Sequence, residues 1–249
     1  MIGFHVHTNW TAEGKRLRVK LNTTLTRAGE GIYEVPFGVV RRCPYTVGVC
    51  RKGEWPVQRF VAIEDGEVGL ALINDGVPGV ETLGGSIYTT ILRAPVQPYA
   101  GMVPDESSSQ HGEHDFSFAI AVYTGEWSSS DVLRMGQRWN TPLRVYPADP
   151  DAAQTPSLLA VDNPTILLSA VKEAIADEKA MLLRLTESIG CAQRCCVHIP
   201  GATRAYAANM LEEKLEELTV EDDSIELSFD PWQIRTVYVE KDERDPAAV

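Results

Sequence analysis

The chain has 249 residues, of which 35 are acidic and 23 are lysine or arginine, so its formal net charge at pH 7 is −12. This charge argues against a nucleic-acid-binding protein, whose clustered basic side chains displace counterions, and against an anionic membrane surface as partner. Fifteen prolines and nineteen glycines favour many short elements joined by turns over a few long helices. No apolar run approaches the roughly 20 residues that span a bilayer, and the chain does not start with a signal-peptide pattern. We therefore expect a soluble, cytoplasmic protein rich in β structure.

Apolar and polar residues alternate through the first part of the chain with the period of two that is typical of half-buried strands. A turn sequence at residues 64–67 separates two such runs and predicts a β-hairpin. The last run is expected to turn Phe116, Phe118, Ile120 and Val122 toward the core. Strands are predicted at residues 17–21, 32–35, 39–40, 60–63, 68–73, 86–92 and 116–122.

Two stretches of different composition interrupt this pattern. Residues 96–115 contain a serine run and two histidines, and loops of this length are often functional or disordered. Residues 147–153 are rich in proline, alanine and aspartate, which is typical of a domain linker. We therefore expect two domains, at residues 1–150 and 151–249. Short strands predicted in the second domain at 158–161, 165–171, 180–185, 194–199, 225–229 and 234–239 suit a small immunoglobulin-like sandwich.

One segment of the second domain has a different period. Leu211, Leu215 and Leu218 fall at helical spacing, with glutamates between them. The pattern alone predicts a helix at residues 208–218, with a strand or loop as the alternative.

Two histidine groups are candidates for metal binding. His5 and His7 would lie on one face of an extended segment, although the sequence near them offers no third ligand. His111, Glu113 and His114 combine a carboxylate with two imidazoles, but the glycine between them does not place the imidazoles on one helix face. An exposed strand pair and a polar loop, respectively, are the alternatives.

The five cysteines form no regular disulfide framework, and their odd number suits a reducing compartment. Cys191, Cys195, Cys196 and His198 lie within eight residues and could hold a soft metal. They lack the paired Cys-x-x-Cys knuckle that zinc sites usually show. Buried thiols in an apolar strand are the alternative.

Several sequence blocks occur in an order that is more specific than any one of them. In this order and spacing they resemble the C-terminal half of glycoside hydrolase family 38, the zinc-dependent α-mannosidases. The blocks are Ile-Tyr-Glu-Val-Pro-Phe-Gly at 32–38, Gly-Leu-Ala-Leu-Ile-Asn-Asp-Gly at 69–76, Ile-Leu-Arg-Ala-Pro at 91–95, Gln-His-Gly-Glu-His-Asp-Phe at 110–116, Arg-Trp-Asn-Thr-Pro-Leu at 138–143 and Asp-Pro-Trp-Gln-Ile-Arg-Thr at 230–236.

The resemblance implies an all-β fold. A partial large β-sandwich of the galactose-mutarotase-like supersandwich type would occupy residues 1–150, and the small sandwich would occupy residues 151–249. It also favours a strand or loop over the helix at residues 208–218. Open strand edges in a partial sandwich invite pairing between chains, so a homo-oligomer is expected.

In this family a preceding α/β domain holds the zinc, the nucleophile and the acid–base residue. No motif for these groups is matched, so the resemblance implies no catalytic residue, metal ligand or cofactor in this chain. Zinc is expected in a missing catalytic domain, from which a truncation or a split gene would have separated the chain.

Two residues match positions near the bound sugar in the resembling enzymes. Tyr33 could stack on a sugar and hydrogen-bond to it, and Arg93 could bind vicinal hydroxyls. Their alternatives are a core aromatic and a surface ion pair. The resemblance thus implies a portion that supports and partly lines a mannoside site together with its catalytic domain. A stand-alone carbohydrate-binding module using a surface aromatic such as Trp55 or Trp127, or an assembly module, is the other hypothesis.

Overall fold

A computed structural model of the chain describes residues 1–25, 27–43, 53–95, 110–147 and 157–241. Strands make up 57% of the structure and helix only 6%, which confirms the all-β prediction. The chain divides into two compact units, Met1–Leu143 and Arg144–Val249. The expected boundary at residues 150 and 151 lies outside the described residues and stays a prediction. No helix in the described ranges is long and apolar enough to cross a membrane.

Ten strands from the described residues of the first unit form two antiparallel sheets. They are β1 (Ile2–Trp10), β2 (Lys15–Asn22), β3 (Gly31–Val35), β4 (Gly38–Arg42), β5 (Glu54–Pro56), β6 (Phe60–Glu64), β7 (Val68–Asn74), β8 (Gly79–Leu83), β9 (Ser86–Ala94) and β10 (Gly112–Thr124). The six-stranded sheet has the order β1-β10-β7-β6-β3-β4, and the four-stranded sheet has the order β2-β9-β8-β5. The predicted hairpin is confirmed, because β6 pairs with β7 across the turn at residues 64–67.

The core of the first unit lies between its two sheets. Val61 and Leu72 of the larger sheet pack in one buried cluster with Val80 and Ile87 of the smaller sheet. Alternate residues of each strand reach this cluster because successive side chains point to opposite faces. The apolar residues of the predicted two-residue period are therefore those that face the core between the two sheets.

The predicted core face of β10 is wrong at its C-terminal end. Phe118 is buried, but Val122 is 67% exposed, whereas Ala121 and Tyr123 on the other face are buried. The cause is a helix that the sequence pattern did not reveal, α1 (Val132–Asn140), which lies against β6, β7 and β10. A single 3-10 turn precedes it at Trp127–Ser129. At this end of the larger sheet the outer face, with Ala121 and Tyr123, is therefore covered, while Val122 on the inner face is exposed.

The second unit is a smaller two-sheet sandwich. Its strands are β11 (Ala160–Val161), β12 (Ile166–Glu173), β13 (Met181–Glu187), β14 (Gln193–His198), β15 (Ala202–Ala208), β16 (Lys214–Leu218), β17 (Ser224–Phe229) and β18 (Ile234–Lys241). A three-stranded sheet has the order β11-β14-β17, and a five-stranded sheet has the order β12-β13-β18-β15-β16. Val197 and Leu227 of the first pack with Leu183 and Val237 of the second.

The helix that the leucine spacing predicts at residues 208–218 is not formed. β15 turns back as β16, and Asn209 sets the turn because its side-chain oxygen accepts the N–H groups of Leu211 (2.9 Å) and Glu213 (3.1 Å). Leu211 is 78% and Leu215 is 67% exposed, so the helical stripe has no apolar surface to cover. Pairing along the sheet therefore overrides the local pattern, as the family resemblance implied.

A buried carboxylate joins two loops at one end of the second unit. Glu187 is fully buried and accepts the backbone N–H groups of Ile189 (2.8 Å), Gly190 (2.8 Å) and Trp232 (2.9 Å). It forms no salt bridge with any residue in the described part of the chain. Trp232 has a φ of 61°, and its ring occupies the space that a Cβ at Gly190 would need. Three charge-assisted hydrogen bonds therefore hold the turn before β18.

We predict that Glu187→Gln destabilises the second unit by about 2 kcal/mol or more, because an amide nitrogen would face an N–H donor and leave it without an acceptor. Urea unfolding should show the lower midpoint, and the Gly190 amide should exchange faster with deuterium. Glu226→Gln, which changes an exposed carboxylate on β17, is the control. Equal midpoints for the two variants would contradict the role of Glu187.

Candidate functional site

Tyr33, the first predicted substrate-binding residue, lies inside the sandwich of the first unit. It is 1% exposed, and its hydroxyl donates to Oγ1 of Thr82 over 3.2 Å. Burial raises the pKa of the phenol, while the Thr82 hydrogen bond and the Arg42 charge oppose this effect. Tyr33 is therefore a neutral phenol that links β3 of one sheet to β8 of the other, as in the core alternative.

Two further side chains cover Tyr33 at this edge of the sandwich. The Arg42 guanidinium carbon lies 5.4 Å from the centre of the Tyr33 ring and 4.5 Å from that of the half-buried Trp55. Such distances allow cation–π attraction to both rings. Arg42 stands at the end of β4 and Trp55 in β5, the edge strands of the two sheets. The sequence had not singled out Arg42 or its position between the rings.

A glycine makes room for the bond between Tyr33 and Thr82. A Cβ placed on Gly31 would collide with both side chains. Gly31 opens β3 and pairs with Arg42 across the sheet. Gly31 does not have a positive φ, so its backbone conformation does not require glycine. Glycine is needed here because two side chains approach its Cα closely.

Arg93, the second predicted substrate-binding residue, lies near the end of β9. Its side chain is exposed, and its backbone N–H donates to Oε1 of Gln110 over 2.9 Å. In the described part of the chain, the guanidinium has no ion-pair partner, and no hydrogen bond or ring contact joins Arg93 to Tyr33. Both residues stay predictions as substrate ligands. Most of the predicted long loop, residues 96–109, lies outside the described residues.

The outer face of the four-stranded sheet carries an ion network that the sequence pattern did not reveal. Arg18 on β2 pairs with Glu81 on β8 (2.8 Å) and lies 3.9 Å from Glu54 on β5. Arg16 also pairs with Glu54, over 3.0 Å. Glu54 and Glu81 face each other across neighbouring strands, so the arginines offset the repulsion between like charges. These charges balance one another and leave little capacity for a ligand.

The histidine groups make local contacts. In β1, Nδ1 of His5 lies 2.8 Å from Oγ of Ser117, and Nδ1 of His7 lies 3.0 Å from a carboxylate oxygen of Asp115. His114 bonds to the carbonyl of Gln110 over 2.8 Å. The contacts of His5 and His7 fit the exposed strand pair that was the alternative to metal binding. Glu113 and His114 lie within β10 and pair with β1, so the expected polar loop is wrong for these two residues.

The cysteines near residue 195 differ in their burial. Cys195 lies in the core of the second unit, and burial chiefly raises its thiol pKa to about 11. Cys191 is exposed and Cys196 is half-buried, and both are free. Cys50 lies outside the described residues. The strand β14 therefore presents its thiols to different surroundings.

A zinc site is not supported by the residues that the structure describes. Among them, no three histidine, cysteine, aspartate or glutamate side chains come together in a way that could hold a metal ion. The sequence matches no zinc-ligand motif of the resembling family either.

One of the two proposed surface aromatics is not at the surface. Trp127 is 5% exposed, and its ring centre lies 6.1 Å from that of Phe60 beneath the 3-10 turn. Its backbone N–H donates to the Glu64 carboxylate over 2.9 Å. Trp127 is a structural residue, so the suggestion that it binds a sugar at the surface is wrong.

The sequence matches two family descriptions, in different units. Residues 1–101 match the "Glycosyl hydrolases family 38 C-terminal domain", and residues 165–237 match the "Glycosyl hydrolases family 38 C-terminal beta sandwich domain". Together these matches cover more than half of the chain. Both describe the C-terminal part of the same family.

Curated relatives carry the name α-mannosidase. The chain is 27% identical to Alpha-mannosidase 2C1 of Homo sapiens, over 94% of its own length and 22% of the human protein. It is 26% identical to Alpha-mannosidase G of Dictyostelium discoideum, over 76% of its own length and 17% of that protein. The chain thus spans about a fifth of the relatives' length.

Solved structures share the fold. An α-mannosidase from Enterococcus faecalis V583 superimposes with a TM-score of 0.78 and 20% sequence identity, over 96% of this chain and 27% of that one. At this identity the likeness concerns the fold alone. The two family matches, in order along a chain of the same fold, identify it: the chain belongs to glycoside hydrolase family 38 and corresponds to the C-terminal β region of that family.

Proposed function

We propose that this chain works as the C-terminal part of an α-mannosidase-like glycoside hydrolase, where it supports and partly lines a mannoside site. The observation that carries the proposal is the pair of family 38 C-terminal matches, one in each unit. The substrate class follows from the α-mannosidase names of the relatives. The zinc and the nucleophile belong, in this proposal, to a catalytic domain that acts as the partner of the chain.

The geometry of the first unit supports different roles for the two predicted residues. Arg93 is exposed and lacks an ion-pair partner in the described residues, so its guanidinium is available to vicinal hydroxyls. Tyr33 is buried and hydrogen-bonded to Thr82, so it acts mainly by placing the Arg42 guanidinium between two rings. In this proposal Arg93 contacts the sugar, and Tyr33 supports the sandwich by holding the β4 and β5 edge.

The chain by itself is expected not to hydrolyse an aryl α-mannoside, even with added zinc, because it matches no motif for the nucleophile. Fusion to the N-terminal region of a family 38 α-mannosidase should restore zinc-dependent release of p-nitrophenol. The same N-terminal region without the chain is the control. Turnover at enzymatic rates by the chain alone would overturn the proposal.

In that fusion, Arg93→Ala should raise KM for the mannoside roughly tenfold, the size expected when a hydrogen bond from a charged donor is lost. Stability should not change, because the side chain is exposed. Arg138→Ala, which removes an exposed arginine of α1, serves as the matched control. An unchanged KM for Arg93→Ala would assign the residue to the surface alone.

Tyr33→Phe keeps the ring and removes the hydroxyl that Thr82 accepts. We expect a loss of about 1 kcal/mol in the free energy of unfolding, as for one hydrogen bond between neutral groups. In the fusion, KM should rise less than for Arg93→Ala. A larger rise in KM at unchanged stability would instead place the phenol on the sugar, which is the role that the family resemblance implied.

The alternative of a stand-alone carbohydrate-binding or assembly module makes a different prediction for the same fusion. If the N-terminal region is equally active without the chain, the chain serves one of these roles. Sedimentation of the chain alone tests the expected homo-oligomer, which no contact described here addresses.

A further inference from the structure

A polar groove opens at one end of the second unit. It has a volume of about 570 Å³, which falls in the range of roughly 300–1,000 Å³ that ligand clefts occupy. The start of β14, the end of β17, the turn at residues 230–233 and the start of β18 surround it. The polar residues that line it are Gln193, Arg194, Ser228, Asp230, Gln233 and Arg235.

Two opposite charges line this groove without neutralising each other. The Arg194 guanidinium and the Asp230 carboxylate are exposed. Neither makes a hydrogen bond or an ion pair with a side chain or backbone group in the described ranges. Both retain their full hydrogen-bonding capacity, in contrast to the paired charges on the four-stranded sheet of the first unit.

Other groups of the groove are held in place by the fold. Arg235 donates from Nη1 to the carbonyl of Ser228 over 2.9 Å, and its guanidinium lies 6.0 Å from the centre of the Phe229 ring. The remaining N–H groups of Arg235 are not used by this bond. A fixed guanidinium loses little conformational entropy when it binds a ligand.

Both glutamines are oriented by bonds to their oxygens. Oε1 of Gln193 accepts from the side-chain nitrogen of Asn163 (3.2 Å), and Oε1 of Gln233 accepts from the backbone N–H of Asp230 (2.9 Å). Their NH₂ groups are left as donors. The groove thus combines several oriented donors with one carboxylate acceptor.

This mixture selects among ligand classes. An anion would bind Arg194 and Arg235 but be repelled by Asp230, and a cation would meet the reverse arrangement. A hydroxyl both donates and accepts, so neighbouring hydroxyls can satisfy the carboxylate and the guanidinium together. A neutral polyhydroxylated ligand can therefore offer partners to both charges at once.

A second groove in the same unit shows the difference. It is lined by Thr203, Arg204 and Glu217 among others, and its volume is about 280 Å³. Here Nε of Arg204 donates to the Glu217 carboxylate over 3.0 Å, so the charges satisfy each other. The larger groove differs because its charges have no such partners among the described residues.

We infer that the larger groove is a saccharide-binding site, which takes a neutral glycan through vicinal hydroxyls on Asp230 and Arg194. The ligand class follows from the groove chemistry, and only the choice of mannose as the first sugar rests on the proposed function. The site belongs to the second unit and needs no catalytic activity to be detected.

The test is an NMR titration of the full ¹⁵N-labelled chain with an α-linked mannobiose, maltose or inorganic phosphate. Saturable shifts of the Arg194, Asp230 and Gln233 amides with mannobiose are expected. Arg194→Ala and Asp230→Ala should each weaken binding roughly tenfold or more, as for hydrogen bonds to charged groups. Both side chains are exposed, so the variants should fold, and Arg204→Ala in the smaller groove is the matched control.

Other titration results would count against the mannoside proposal or against the groove. Binding of maltose but not of mannobiose would support a saccharide groove and count against the mannoside proposal. No saturable shift with either sugar up to tens of millimolar, or shifts with phosphate alone, would overturn the inference. So would mannobiose binding that Arg194→Ala and Asp230→Ala leave unchanged.

Discussion

Burial of alternate strand residues between two antiparallel sheets is the interaction on which each unit depends. Val61 and Leu72 meet Val80 and Ile87 in the first unit, and Leu183 meets Val197 in the second. Because the side-chain period of a strand is two, this packing also decides which residues face outward. Residues on an outer face are buried where another element packs on that face, as α1 does on part of the six-stranded sheet.

Polar groups accumulate where the sheets of a unit meet or end. Tyr33 bonds to Thr82 across the first sandwich, and Glu187 holds two loops at the end of the second. An unsatisfied polar group would be costly at such positions, so each of these is paired with a partner from another strand or loop. These paired polar groups therefore stabilise the units. Beside them the fold also fixes side chains such as Arg42 and Arg235.

Whether a polar side chain can serve a ligand depends on what it already binds. Arg18 and Glu81 are engaged with each other on the outer face of the four-stranded sheet. Arg194 and Asp230 have no such partners in the described residues and retain their donors and acceptor. The same residue types thus form a solvated network in one unit and a candidate binding surface in the other. In the proposed site the unpaired groups are the place where hydroxyls would bind, and the choice of sugar rests on the proposed function.

The sequence by itself determined the all-β class, most strands of both units and the hairpin of β6 and β7, because alternation and turn residues are local signals. It did not predict β5, β8 or β15. Ordered blocks also sufficed to place the chain in its family. Tertiary structure decided the rest. It formed the β15–β16 hairpin where Leu211 and Leu215 predicted a helix, since sheet pairing outweighs an apolar stripe that has no surface to cover. It buried Tyr33 and Trp127, and it placed Arg194 and Asp230, 36 residues apart in the sequence, in the lining of one groove. Pairing, burial and groove formation depend on contacts between distant segments, which local patterns do not encode.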